Sequence, residues 1–171
     1  MPRYVALLRA VNVGGTGKLP MTELKAMCLD AGFADVQTYI ASGNVVFSSQ
    51  LGATKVKAAL EKRLHAYAGK PVGVAVRSAE EIAAVLNANP FPKAPPNTTV
   101  AIFLDGPPAK DALKDIKGQQ DEQMQLGKRE IYVAYGIGMG RSKLKIPAAA
   151  NGTARNINTI AKLAELAAGD D

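Results

Sequence analysis

A run of prolines divides this chain of 171 residues. Four of the seven residues from 90 to 96 are proline. Because proline fixes its own φ angle and has no backbone N–H, this segment can form neither a helix interior nor a central strand. We therefore predict that residues 1–77 and 98–171 fold as separate units. A helix and the proline-rich connection, together residues 78–97, join them.

The first predicted unit alternates between strand-like and helix-like spacing of its apolar residues. Its elements follow the order β-α-β-β-α-β, with strands at 4–11, 36–40, 44–48 and 72–77. The two helical faces carry Met21, Leu24, Cys28 and Ala31, and Val56, Leu60, Leu64 and Tyr67. Thr54 and Ser78 are placed to cap the second and third helices. This order is that of a ferredoxin-like plait, in which both helices cover one face of an antiparallel sheet.

The second predicted unit repeats most of this order. A strand at 99–104, a short helix after Pro107, a hairpin through Gly127 and a helix at 157–168 give β-α-β-β-α. This unit is predicted to lack the last strand of a plait. The predicted fold class is α+β, with two ferredoxin-like α/β plaits in tandem and the helices packed on one face of each antiparallel sheet.

Composition removes several classes of protein. The single Cys excludes a disulfide framework and a Cys-based zinc site, and the single His excludes a His-rich metal site. We therefore predict no metal and no cofactor. The apolar run at 4–8 is too short for a signal peptide or a membrane span, so we expect a cytoplasmic protein without membrane contact. The formal net charge of +6 permits an anionic partner.

Several segments carry a resemblance to a known family. They are Tyr4–Gly15, Leu19–Met21, Thr38–Phe47, Gly140–Leu144 and Thr153–Thr159.

Together these segments resemble the bacterial family called domain of unknown function 1697. The resemblance implies tandem ferredoxin-like plaits, and it implies no established activity. The chain departs from the family's pattern at Ala10, where glycine is expected, and at Ile157, where an aromatic residue is expected.

Two glycine-bearing segments invite nucleotide-binding interpretations. In residues 12–18 a phosphate-binding loop would need glycine at Asn12 and Ser or Thr at Leu19, so the motif fails. Two interpretations stay open there: Lys18 and backbone amides hold an anion, or the glycines only allow a tight connection. In residues 136–140 a dinucleotide fingerprint would need glycine at Arg141, so we predict a flexible connection.

Positive charge is concentrated in two stretches without acidic residues, 1–22 and 131–164. We predict that loop 12–18 and the segments at 141–143 and 155–156 meet on one basic surface. The alternative is ordinary solvated surface charge. The candidate ligand-binding residues are Arg9, Asn12, Gly14, Gly15, Lys18, Ser42, Asn44, Arg141, Lys143, Arg155 and Asn156.

No catalytic residue can be named. Cys28 lies on an apolar helix face and is predicted to be an inert core thiol, while His65 is predicted at the edge of a stripe or in solvent. No nucleophile elbow and no evident general base accompany them.

Three functions are compatible with these observations. The favoured one is a binding module for an anionic ligand, either nucleic acid or a phosphorylated small molecule, acting through a basic polar surface. The second is a protein-interaction or structural module. The third is a cofactor-free enzyme with a polar cleft, which the missing general base disfavours. The oligomeric state stays open, and the fold alone does not choose among the three.

Overall fold

A computed structural model of the chain describes residues 1–12 and 18–169, and at 137 and 138 it describes the backbone alone. The residues group into two compact units. One holds Met1–Ala83 with the C-terminal residues from Lys162, and the other holds Ala84–Ala161. The sequence assigned the residues after Lys162 to the second unit. They group with the first, where Arg3 donates a hydrogen bond of 3.4 Å to the Leu166 carbonyl.

The first unit is built on a four-stranded antiparallel sheet in the order β2-β3-β1-β4. Its elements are β1 (Arg3–Leu8), α1 (Met21–Asp30), β2 (Ala34–Tyr39), β3 (Asn44–Ser48), α2 (Ala53–Ala68), β4 (Val74–Ser78) and the start of α3 (Ala79–Asn87). In β1, Val5 lies opposite Val46 of β3 and Arg77 of β4, so β1 is an inner strand.

The core of the first unit joins the sheet to α1 and α2. The predicted apolar faces supply it: Leu24 and Cys28 of α1 and Leu60 of α2 are fully buried. At its centre the ring of Phe47 stacks on that of Phe33, with centroids 4.3 Å apart and planes 6° apart. Burial of such side chains is the main stabilising contribution to a unit of this size.

Local signals at the helix ends are confirmed in part. The Ser78 hydroxyl accepts from the Glu81 N–H at 3.1 Å, and the Glu81 carboxylate accepts from the Ser78 N–H at 2.9 Å, which is a capping box. The predicted cap at Thr54 is wrong. Gly52 occupies the N-cap of α2, and Thr54 lies in the first turn.

The second unit contains another four-stranded antiparallel sheet, in the order β6-β7-β5-β8. Its elements are the end of α3, β5 (Thr99–Phe103), β6 (Gln123–Leu126), β7 (Glu130–Ala134), β8 (Thr153–Asn156) and the start of α4 (Ile157–Ala168). Two 3₁₀ helices, Gly136–Arg141 and Pro147–Ala149, lie between β7 and β8.

Two predictions for this unit are wrong. The sheet does not lack its last strand, because β8 pairs with β5 from Val100–Asn156 to Phe103–Thr153. Backbone hydrogen bonds to an inner strand hold these four residues, which lack an apolar run that would reveal a strand. The short helix expected after Pro107 is a series of turns, such as Ala112 N–H to the Ala109 carbonyl. A helix this short gains too few bonds to offset nucleation.

Over the described residues, the protein is thus a mixed α+β protein with two four-stranded antiparallel sheets and four α-helices. The helix at Ile157–Ala168 has the bounds that the sequence predicts. In the part of the chain that is described, no helix has both the length and the apolar character needed to cross a bilayer.

Candidate functional site

The end of β1 is held on both sides by its neighbours. The Leu8 N–H donates to the Gly43 carbonyl at 2.8 Å, and the Arg9 N–H donates to the Gly73 carbonyl at 2.9 Å. The chain then turns through Ala10, whose φ is 58°. This left-handed conformation favours glycine, so it gives a physical reason for the glycine that the family resemblance expects there. Arg9 is therefore presented from the end of an inner strand.

Asn12 closes the base of the loop that follows. Its side-chain amide donates to the carbonyls of Leu19, at 2.9 Å, and Ala41, at 2.7 Å, and its Oδ1 accepts from the Leu19 N–H at 2.8 Å. All three bonds go to the main chain, so this predicted ligand residue has a structural role: it ties the start of the loop to Leu19 and Ala41. Gly14 and Gly15 lie outside the described residues.

Next to Asn12, a cavity of about 480 Å³ is lined in part by Val11, Lys18 and Leu19, and we call it the basic pocket. Its walls carry three cationic side chains, Arg9, Lys18 and Lys70, and among the described residues that line it there is no carboxylate. Tyr67 adds a ring that is 47% exposed, although the spacing in α2 placed it with the buried leucines. Its position in the last turn of the helix brings it to the pocket instead.

The hairpin turn before β3 packs against Leu8 and Val11, next to the basic pocket. Asn44 is fully buried, and its amide donates to the Tyr39 carbonyl at 2.9 Å and to the Ser42 hydroxyl at 2.8 Å. Gly43 has a φ of +91°, and a Cβ there would lie 2.6 Å from Cγ2 of Val11. Asn44, another predicted ligand residue, therefore shapes the turn, and only Ser42 of this pair is exposed.

The first unit also has a larger cavity, of about 780 Å³. It is lined by Arg3 together with two carboxylates, Asp35 and Glu165. The Arg3 guanidinium already donates to the Ser48 hydroxyl at 3.0 Å. Mixed charge at its walls makes this cavity a weaker anion site than the basic pocket, despite its size.

In the second unit, residues 141–145 form an exposed line of charge. Arg141, Lys143 and Lys145 are exposed, while Ser142 and Leu144 between them are partly buried. Lys145 is bridged to Lys117 by two backbone hydrogen bonds, of 2.8 and 3.0 Å. We call Arg141, Lys143, Lys145 and Lys117 the basic ridge.

Glu122 holds the backbone of the basic ridge in place through Ser142, which lies between Arg141 and Lys143. Glu122 is buried, and its carboxylate accepts hydrogen bonds from the Ser142 hydroxyl and, at 2.7 Å, from the Gln120 N–H. These bonds, that from Ser142 foremost, hold the pKa of Glu122 below its usual value of 4.5. Gly118, with a φ of +74°, completes the support, because a Cβ there would lie 2.2 Å from the Lys143 carbonyl oxygen.

The anchoring role of Glu122 predicts a pH-dependent stability. A depressed pKa means that the charged carboxylate stabilises the folded chain above the unfolded pKa near 4.5, and that this stabilisation is lost as the pH falls through the lower folded value. Glu122→Gln should therefore unfold at a lower temperature than the parent at pH 7, and the gap should narrow towards pH 3. Thermal unfolding across this range measures the gap, and a gap independent of pH would contradict the assignment.

Two further predicted ligand residues lie at the start of α4. The Asn156 side chain accepts from the Thr159 N–H at 2.8 Å and so caps the helix. Arg155 is half-buried on β8, where burial lowers the pKa of its guanidinium to about 10, and it donates to the Ala154 carbonyl at 2.9 Å. The predicted meeting of loop 12–18 with the segments at 141–143 and 155–156 joins residues of both units, and it stays a prediction.

The two residues considered for catalysis are placed as the sequence predicts. Cys28 is fully buried, and burial raises the pKa of its thiol to about 12, against a smaller opposing effect of Arg63. An uncharged thiol inside the core is a poor nucleophile. His65 is exposed on α2. Within residues 1–12 and 18–169, no three potential ligands come together as a metal site would require.

Five residues of these sites were missed from the sequence. Tyr67 of the basic pocket lies in the last turn of α2 and Lys70 lies just after its C-cap Gly69, where the sequence signalled only a helix stop. Lys117 and Glu122 lie in a turn-rich segment with no periodic pattern. The fifth, Lys145, had one available signal, the alternation of charged with other residues from Arg141 to Lys145.

Comparisons with known proteins agree with this architecture. Conserved bacterial protein SP0830 from Streptococcus pneumoniae has a similar structure, with a TM-score of 0.80 over 97% of this chain and 98% of that one. At 24% sequence identity this likeness concerns the fold alone. No curated protein matches the chain. The model of the family described as protein of unknown function (DUF1697) matches residues 1–132, which is most of the chain. The chain therefore belongs to the DUF1697 family.

Proposed function

We propose that this protein binds a small phosphorylated ligand in the basic pocket. One observation carries the proposal: Arg9, Lys18 and Lys70 line one cavity in which the described residues include no carboxylate. Guanidinium and ammonium groups that line one cavity favour a polyanionic group such as a phosphate or pyrophosphate.

The size and walls of the basic pocket narrow the ligand class. Its volume of about 480 Å³ lies in the range of small-molecule sites and is too small to enclose a folded nucleic acid. The exposed ring of Tyr67 and the apolar side chains of Leu19 and Val72 line the same cavity. A ligand with a phosphate group at one end and a planar or apolar portion at the other matches both kinds of wall.

The proposal includes the architecture that carries the pocket. The strand orders β2-β3-β1-β4 and β6-β7-β5-β8 place equivalent strands at equivalent positions. We infer that the two units are ferredoxin-like plaits in tandem. In the first unit, the pocket forms where β1 ends beside the C-terminus of α2.

The proposal predicts the effect of removing two of the cations. Inorganic pyrophosphate and adenosine diphosphate serve as probes in calorimetric titrations of the full chain. Arg9→Gln with Lys70→Gln should weaken binding of both probes about tenfold or more, because each loses charge-assisted hydrogen bonds. Lys25→Gln with Lys62→Gln is the matched control, since both lysines are exposed and neither lines the pocket.

A third variant separates the two ends of the pocket. Tyr67→Ala should weaken binding of adenosine diphosphate but leave that of pyrophosphate unchanged, because only the nucleotide has a ring to pack against tyrosine. The proposal fails if neither probe binds the parent chain, or if the control variant loses as much affinity as the pocket variant.

A further inference from the structure

The basic ridge of the second unit is a surface that the proposed small-ligand function does not use. We infer that it binds the phosphate backbone of single-stranded nucleic acid without regard to base sequence. The inference rests on residues of the second unit alone, so it stands or falls independently of the basic pocket.

The first reason is the spacing of the cations. Ser142 and Ile146 have extended backbone, with ψ angles of 134° and 101°, and Lys145 is paired with Lys117 as in a strand. Alternate side chains of an extended chain point the same way and lie about 6.6 Å apart, which is the spacing expected between Lys143 and Lys145. Arg141, the last residue of the preceding 3₁₀ helix, continues this exposed line. Cations spaced in this way are on the scale of the distances between successive phosphates along an extended strand of nucleic acid.

The second reason is that the ridge is held in place. The Ser142 hydroxyl is bound by Glu122, and the backbone at Lys145 is bridged to Lys117. Leu144 and Ile146 pack against the core of the second unit. Because these contacts already hold the backbone in place, binding an anion orders only the long side chains, which lowers the entropic cost of binding.

The third reason concerns the groups that could neutralise the ridge. Two carboxylates lie in residues 117–122: Asp121 is exposed, and the oxygens of Glu122 already accept from Ser142 and Gln120. No ion pair is seen between Arg141, Lys143 or Lys145 and any acidic residue in the described portion of the chain. The positive charge is therefore available to a partner, and phosphates neutralise such charge with release of counterions.

The ridge also lacks the features of base-specific readers. Residues 117–122 and 139–145 contain no aromatic side chain on which a base could stack. An exposed line of side chains presents neither a helix nor a two-stranded ribbon to the major groove of a duplex. The first feature disfavours stacking on bases and the second disfavours readout of a duplex groove, which leaves the phosphate backbone as the group that the ridge recognises.

The test compares two variants of equal charge by fluorescence anisotropy. The ridge variant is Arg141→Gln with Lys143→Gln and Lys145→Gln, and the control is Lys25→Gln with Lys55→Gln and Lys62→Gln on the exposed faces of α1 and α2. Each lowers the formal net charge from +6 by three. The probe is labelled oligothymidine of about 20 nucleotides, which exceeds the site size of about 4–16 nucleotides typical of small single-strand binders.

The ridge variant should bind the probe about tenfold or more weakly, and the control should bind nearly as well as the parent. The slope of log affinity against log salt should also fall by about 2 in the ridge variant, since each phosphate contact on a single strand contributes about 0.7. Oligoadenosine should bind as tightly as oligothymidine. Thermal unfolding verifies that both variants fold.

Any of four results overturns the inference. They are no binding by the parent at low salt, equal losses in the two variants, tighter binding of a duplex than of the single strand, and tighter binding of polyglutamate than of the oligonucleotide. The third assigns the ridge to duplex DNA, and the fourth assigns it to an acidic peptide.

Discussion

Replacing Gly43 with alanine is expected to lower the free energy of unfolding by about 3 kcal/mol. Two effects combine. The φ of +91° costs a non-glycine residue about 1–2 kcal/mol. The new Cβ would also lie 2.6 Å from Val11 Cγ2 and 2.9 Å from Leu8 Cβ, and overpacking of a buried site costs about 1–3 kcal/mol.

Gly32 provides the matched control for this substitution. Its φ is +88°, close to that of Gly43, but nothing lies within 4 Å of the position a Cβ would take. Gly32→Ala should therefore show the backbone cost alone. Denaturant unfolding of both variants separates the two effects, and equal losses would show that the close contacts of Gly43 relax without cost.

Truncation of Phe47 to alanine should cost about 4 kcal/mol, within the range of about 3–5 kcal/mol for buried Phe. The side chain is fully buried on an inner strand. It stacks on Phe33 at 4.3 Å and also lies 6.2 Å from the ring of Tyr4. Removing the ring leaves a cavity that the two neighbouring aromatic residues, each fixed by its own strand or turn, cannot fill.

Two variants make this expectation specific. Phe47→Leu keeps most of the volume and should lose much less stability than Phe47→Ala. Tyr67→Ala removes an aromatic ring that is 47% exposed and should change stability little. If Phe47→Ala unfolds at the same denaturant concentration as Tyr67→Ala, the assignment of Phe47 to the centre of the core is wrong.

Much of the first unit could be predicted because its local signals agree with its packing. The spacing of Leu24 with Cys28 marks the buried face of α1, and Ser78 with Glu81 marks the start of α3. In the second unit the same approach fails where pairing depends on distant residues. The strand at Thr153–Asn156 exists because β5 offers it hydrogen bonds, and its own composition gives no sign of this.

The candidate sites were harder to predict for a related reason. Arg9 and Lys18 could be named because they flank a glycine-bearing loop, but Lys70 reaches the same pocket only through the fold. Asn12 and Asn44 were named for their polarity, yet their amides are bound to main-chain and hydroxyl groups. Sequence shows which side chains can hold an anion, and only contacts show which of them the protein has already used.

The bridge between Lys117 and Lys145 sets two like charges opposite one another, an arrangement that costs stability in any antiparallel pair. Added salt screens such repulsion, with a Debye length of about 10 Å at 0.1 M. It also weakens every phosphate contact that the same lysines would make. Salt should thus strengthen the fold of this segment and weaken its binding. A bound polyanion would do locally what salt does generally, because it would neutralise the repulsion between Lys117 and Lys145.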